Sequence, residues 1–152
     1  MLAPEWRFQL AYTYVDAYYS DAYKTCVAAP CAAPTVPVAA GNRLPGVPKH
    51  NVYATLRWGE ALGWHASASA QYITDVAVND VNNAFAAAYA LMGLDGGYAV
   101  ELNRFEVNTF LRINNLLNRR YVGSVIVDDG NGRYFEPGPG FNILGGVSVT
   151  MK

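Results

Sequence analysis

Apolar and polar residues alternate along most of this chain with a period of two, the spacing of a strand with one apolar and one polar face. Trp6, Phe8, Leu10, Tyr12 and Tyr14 share one parity, while Arg7, Gln9, Ala11 and Thr13 take the other. Val52, Ala54, Leu56 and Trp58 oppose Asn51, Tyr53, Thr55 and Arg57. Trp64, Ala66, Ala68, Ala70 and Tyr72 oppose His65, Ser67, Ser69 and Gln71. A less regular segment covers Tyr89 to Leu94. Phe105, Val107, Leu111 and Ile113 then oppose Arg104, Glu106, Asn108, Arg112 and Asn114. Last, Ile143, Val147, Val149 and Met151 oppose Leu144, Ser148 and Thr150. The pattern predicts an all-β chain, an antiparallel meander of about six strands. The apolar stretch Ala84 to Leu94 fits either a buried helix or a strand with its preceding loop.

In the five clear segments no charge falls on the apolar parity. A lipid-facing strand requires this, because an Arg at the bilayer midplane costs about 2–4 kcal/mol. A soluble β-sandwich with its charges turned to water would alternate in the same way, so alternation alone allows both. The connections separate the two readings. Ser20 to Lys49 forms a long, Pro- and Ala-rich loop, and Gly59 to Gly63 a tight turn. Thr74 to Ala87 is of middle length, a short turn is predicted around Asp95-Gly96-Gly97, and Leu116 to Gly140 is long again. Transmembrane barrels show this rhythm, with short turns at one end and long loops at the other. It places Trp6, Trp58 and Trp64 together at the short-turn boundary, as in an aromatic girdle. Tyr18, Tyr19, Tyr72 and Tyr121 fall towards the opposite boundary. In a sandwich the same aromatics would be core residues.

Composition narrows the classes further. Only 15 % of residues are charged and the net charge is −1, so no basic patch points to nucleic acid. No apolar run reaches the 18 or so residues that a transmembrane helix requires. Met1-Leu2-Ala3-Pro4-Glu5 carries no basic n-region or apolar h-region, so for an exported protein this start is expected not to be the native one. Cys26 and Cys31 have no His or further Cys nearby and make a poor zinc site; a local disulfide or two unpaired thiols remain open. No phosphate-binding glycine loop, Ser-His-Asp set or paired carboxylates are present, so no enzyme activity, catalytic residue or cofactor is expected. His50 and His65 sit at strand starts and read as lumen or interfacial residues, so no metal site is expected. Asp128-Asp129 reads as a solvated loop tip, since no further carboxylates follow at calcium-ligand spacing.

Three stretches carry a family resemblance. Asn114-Asn115-Leu116-Leu117-Asn118-Arg119-Arg120-Tyr121 resembles the N-L-F-D-[KR]-x-Y pattern that leads out of the penultimate strand of TonB-dependent receptors. Gly132-Arg133-Tyr134-Phe135-Glu136-Pro137-Gly138-Pro139-Gly140 resembles the loop before their final strand. Gly41-Asn42-Arg43-Leu44-Pro45-Gly46-Val47-Pro48-Lys49-His50 resembles the approach to an earlier one. In physical terms, Asn118 suits a left-handed turn residue, and Pro-Gly-Pro-Gly cannot pair as a central strand. Pro45 and Pro48 are expected to hold their segment extended. Two positions depart from the family pattern: Phe141 stands where Arg is common, and Thr150-Met151-Lys152 stands where the last strand usually ends on an aromatic.

The resemblance implies that residues 1–152 are the C-terminal part of a receptor barrel, with the plug and earlier strands lying outside this sequence. It implies an outer-membrane location in a Gram-negative bacterium, and membrane lipid, the remaining barrel, the plug and the TonB system as partners. The implied cargo is a scarce ligand such as a ferric siderophore or another metal chelate, which six strands of a wall of about 22 would not transport alone. Ligand contact is implied for the long loops, with Arg133, Tyr134 and Glu136 as candidates, although these residues could equally serve only to order their loop. The competing reading is a stand-alone β-sandwich or small barrel acting as a binding module.

Overall fold

A computed structural model describes residues 5–26 and 30–152; the reading of Met1–Pro4 lies outside the described residues. Twelve strands are found among them and no helix: β1 (Trp6–Tyr14), β2 (Tyr23–Thr25), β3 (Val36–Val38), β4 (His50–Gly59), β5 (Gly63–Ile73), β6 (Val76–Ala77), β7 (Phe85–Ala86), β8 (Tyr89–Leu102), β9 (Phe105–Asn114), β10 (Val122–Val125), β11 (Phe135–Pro137) and β12 (Asn142–Met151). The six long strands form one antiparallel sheet in the order β1-β4-β5-β8-β9-β12. This is the meander that the alternation predicts. Ala84 to Leu94 resolves into β7, a short link and the start of β8.

The register lines up the parities across all six strands. One face carries Phe8, Leu10, Ala54, Leu56, Ala68, Ala70, Met92, Leu94, Leu111, Ile113, Val147 and Val149. The other carries Arg7, Arg57, Asp95, Glu101, Glu106 and Arg112, with Ser, Thr, Asn and Gln between them. Charge is thus confined to one side of the whole sheet. On β5 the apolar-parity residues are the exposed ones and their polar neighbours are half-buried, so the sheet is concave towards its polar side. Leu10 is 62 % exposed and Val147 66 %. A sandwich would stack a second sheet on these residues, and no described strand lies there.

Short connections gather at one end. Residues 60–62 join β4 to β5, and Asn103-Arg104 joins β8 to β9. The turn predicted at Asp95-Gly96-Gly97 is therefore misplaced, because β8 runs straight through it. Those glycines serve close approach. A Cβ on Gly97 would collide with the Thr109 carbonyl and lie 2.8 Å from the His65 Nε2. The real turn uses Asn103 at φ 53°, a left-handed position that Asn tolerates.

Three pairs of short strands, β2-β3, β6-β7 and β10-β11, rise from the long connections at the opposite end. Most of the buried side chains among the described residues lie with them. Val38, Ala77 and Val78 are almost fully buried, as are Ala86 and Asn79. The long-loop end therefore holds a small hydrophobic core of its own.

Candidate functional site

At the long-loop end three connections are tied together around one turn. Asp80 lies between β6 and β7. Its carboxylate accepts the Tyr19 hydroxyl at 2.6 Å and the Tyr23 hydroxyl at 2.7 Å, both from the first long loop. Asn42 Nδ2 of that loop donates to the Asp80 carbonyl at 2.9 Å. From the last long loop, Asp128 accepts the Asp80 N–H at 2.9 Å and donates its own N–H to Val78 at 3.0 Å. Asp128 is thus a tie between loops and not the solvated tip that the sequence suggests.

Burial alone would raise the Asp80 carboxyl, yet the two tyrosine hydroxyls outweigh it and hold the group below the ordinary carboxylate range. Asp128 moves the other way. Burial raises it, the Asp80 N–H opposes this, and the charge of Asp80 adds to the rise. The Tyr19 hydroxyl is pushed up by burial and by its bond to Asp80.

The motif Gly41 to His50 supplies a second tie. Arg43 Nη1 meets Asp75 Oδ2 at 2.7 Å, and the Arg43 N–H donates to Asn82 Oδ1 at 2.7 Å. Pro45 is not extended as expected: it opens a turn with Gly46, whose φ of 79° is the left-handed value such a turn needs.

The two motifs flanking the last loop interlock. Asn115, buried and at φ 48°, donates through Nδ2 to the Arg119 and Pro139 carbonyls at 2.8 and 3.0 Å. Asn118, at φ 47° as its role in a left-handed turn requires, accepts the Phe141 N–H at 3.0 Å. The Tyr121 ring packs on Gly138, where a Cβ would overlap it, and its centroid lies 4.6 Å from that of Tyr89.

The candidate residues of this loop are spread along one hairpin. Arg133 is exposed; its N–H donates to Asp129 at 2.6 Å, and its guanidinium forms no ion pair among the described residues. Tyr134 is half-buried, its hydroxyl 3.5 Å from Asn79 Nδ2. Glu136 accepts the Ser124 hydroxyl within the β10-β11 pair. Cys26 and Cys31 are joined through their sulfurs, with Cα atoms 6.0 Å apart. His50 lies on the apolar parity, bonded to Tyr12 at 2.8 Å and packed on Tyr14, whereas His65 faces the polar side beside Gly97. The Asp80 hub was not legible in the sequence, because its partners lie 38 to 61 residues away on other loops.

A single-sided, six-stranded wall with short turns at one end and knotted loops at the other defines a membrane β-barrel segment. The chain belongs to the TonB-dependent receptor family: the family model described as "TonB dependent receptor-like, beta-barrel" matches residues 2–116. That family consists of receptors and transporters and not of enzymes.

Two solved structures share the fold. The siderophore receptor PiuA from Acinetobacter baumannii superposes with a TM-score of 0.79 at 23 % identity, over 98 % of this chain and 20 % of that one. The ferric-catecholate import receptor Fiu from K12 E. coli, in its closed form, gives 0.65 at 22 %, over 99 % of this chain and 19 % of that one. At these identities the likeness is one of fold, and the chain spans about a fifth of either receptor.

Proposed function

We propose that this chain is the C-terminal part of the wall of a TonB-dependent receptor in the outer membrane of a Gram-negative bacterium. In this reading the apolar face meets lipid, the polar face lines the lumen, and the long loops form part of the outer mouth. The single observation that carries it is the segregation of all strand charges to one face of a six-stranded sheet, with every long connection at one end. The aromatics agree with it. Trp6, Trp58, Trp64 and Tyr98 band the short-turn end of the apolar face, and Tyr12, Tyr14 and Tyr72 the other.

The cargo belongs to the same proposal: a ferric siderophore or similar metal chelate, imported with energy from the TonB system once the plug and remaining strands complete the barrel. Arg133, Tyr134 and Glu136 stand on the last loop as ligand contacts. The Cys26–Cys31 disulfide braces the first loop in an oxidising compartment.

Spin labels on the full receptor test the wall reading. Labels at Leu10, Met92 and Val147 should be relaxed by lipid-dissolved oxygen, and labels at Gln9 and Ser148 by a water-soluble nickel chelate. Equal response at the two sets would refute the assignment. For the cargo, the R133A receptor should bind an anionic ferric catecholate several-fold more weakly, and unchanged binding removes Arg133 from the site.

A further inference from the structure

A hollow interrupts the apolar face near its short-turn end. The register aligns Trp58, Ala66, Gly96 and Leu111 in one row across β4, β5, β8 and β9. Trp64 and Tyr98 stand in the next row towards the short turns, and Ala68, Leu94 and Ile113 in the next row away from them. The two central positions of the first row therefore carry only a methyl group and a hydrogen between bulky neighbours. A groove of about 780 Å³ results, walled by Trp58, Trp64, Leu94, Leu111 and Ile113. Gly96 keeps its floor low, since a Cβ there would lie 3.3 Å from the His65 carbonyl and 3.8 Å from the Ala66 Cβ.

Size and chemistry describe the occupant. From Trp64 to Ala68 the groove climbs four residues, about 13 Å. One leaflet of a hydrocarbon core about 30 Å thick has half that thickness, about 15 Å. The walls are apolar along this climb, and hydrogen-bond donors gather at the lower end. There the Trp58 indole N–H is taken up by Glu5 at 3.1 Å. The Trp64 and Tyr98 rings meet with centroids 5.0 Å apart, and their N–H and O–H find no acceptor among the described residues. Trp64 is 69 % exposed, so its donor is open to the membrane boundary, the depth at which Trp and Tyr meet headgroups. The groove thus suits a molecule that is apolar along its length and carries acceptors at one end.

We infer that this groove seats one acyl chain of a phospholipid from the periplasmic leaflet, whose headgroup-end oxygens accept from Trp64 and Tyr98. The inference rests on the wall reading above, in which the short turns face the periplasm. It goes further by replacing uniform lipid contact over the face with one molecule held at one place. A second copy of the chain is the weaker occupant. Two walls that meet through this face gain nothing from the hydrophobic effect, because lipid tails are as apolar as the side chains they would leave. Nor does a second apolar wall offer acceptors to the two donors.

Photolabelling tests the seat. The full receptor is placed in phosphatidylethanolamine vesicles with a trace of the same lipid bearing a diazirine in mid-chain, and the labelled peptides are counted by mass spectrometry. Insertion should be several-fold heavier at Ala66, Gly96 and Leu111 than at Phe8 and Leu10 of the same face. A66F, whose ring fills the floor, should abolish this excess and lower the phospholipid that stays with the detergent-purified receptor, whereas L10F should change neither. Even labelling along the face, or an excess that survives A66F, overturns the seated lipid and leaves the wall intact. A receptor dimer that A66F dissolves assigns the groove to a second copy and overturns it as well. The ratio in the unsubstituted receptor decides by itself if A66F fails to assemble. Labelling of neither set sinks the wall reading instead.

Discussion

At the scale of single residues, the last long loop depends on two side chains and one missing one. Asn115 and Asn118 hold the loop's two ends together through one carbonyl and one N–H, each more than twenty residues away. Gly138 leaves the space that the Tyr121 ring fills. G138A should therefore force the ring or the backbone aside, at a cost of about 1–3 kcal/mol typical of overpacking. The measurement is the thermal stability of the full receptor, with G132A, where a Cβ meets nothing within 4 Å, as a comparison that tests only backbone strain at φ 72°. Equal effects would show that packing against Tyr121 is unimportant. The left-handed role of Asn118 was legible beforehand, because Asn is among the few residues that tolerate that backbone. The overlap at Gly138 was not, since nothing local announces which ring will lie over a glycine.

At the scale of elements, the six long strands could be read directly because each parity carries one kind of surface from end to end. The exception was β8. Its Gly96-Gly97 pair carries the composition of a turn, yet it sits inside the strand where backbone and the His65 ring come close. The short strands of the loops were missed altogether: two or three residues show no period, and their order comes from contacts between loops.

Those contacts have a pH signature. Asp80, lowered when folded, contributes stability above its ordinary value and loses it as pH falls through the lowered one. Asp128, raised when folded, contributes below its ordinary value and loses this as pH rises through the raised one. Protection of the Asp80 and Asp128 amides against hydrogen exchange should therefore peak near the ordinary carboxylate range. It should decline on the alkaline side of that peak as Asp128 ionises, and D128N should abolish that decline. A profile flat across this range in the unsubstituted receptor would remove the pair from any role in holding the loops.

At the scale of the whole molecule, the sheet is open. Among the described residues β1 and β12 each present an unpaired edge, and unsatisfied backbone groups in hydrocarbon cost several kcal/mol each. The purified 152-residue chain in detergent should accordingly fail to give a monodisperse, heat-resistant β species. A compact, heat-modifiable monomer would show that the wall can close on itself.

The uneven lengths of the connections also set a sequence of events. Two strand pairs, β4-β5 and β8-β9, are joined by three and two residues (60–62 and 103–104), whereas β1 meets β4 only across residues 15–49. Closing the longer loop costs about 2–3 kcal/mol more in chain entropy than closing a two-residue turn. The two hairpins are therefore the natural first products of folding. The ladders that span the long connections, β1-β4, β5-β8 and β9-β12, zip afterwards and join the hairpins into one wall.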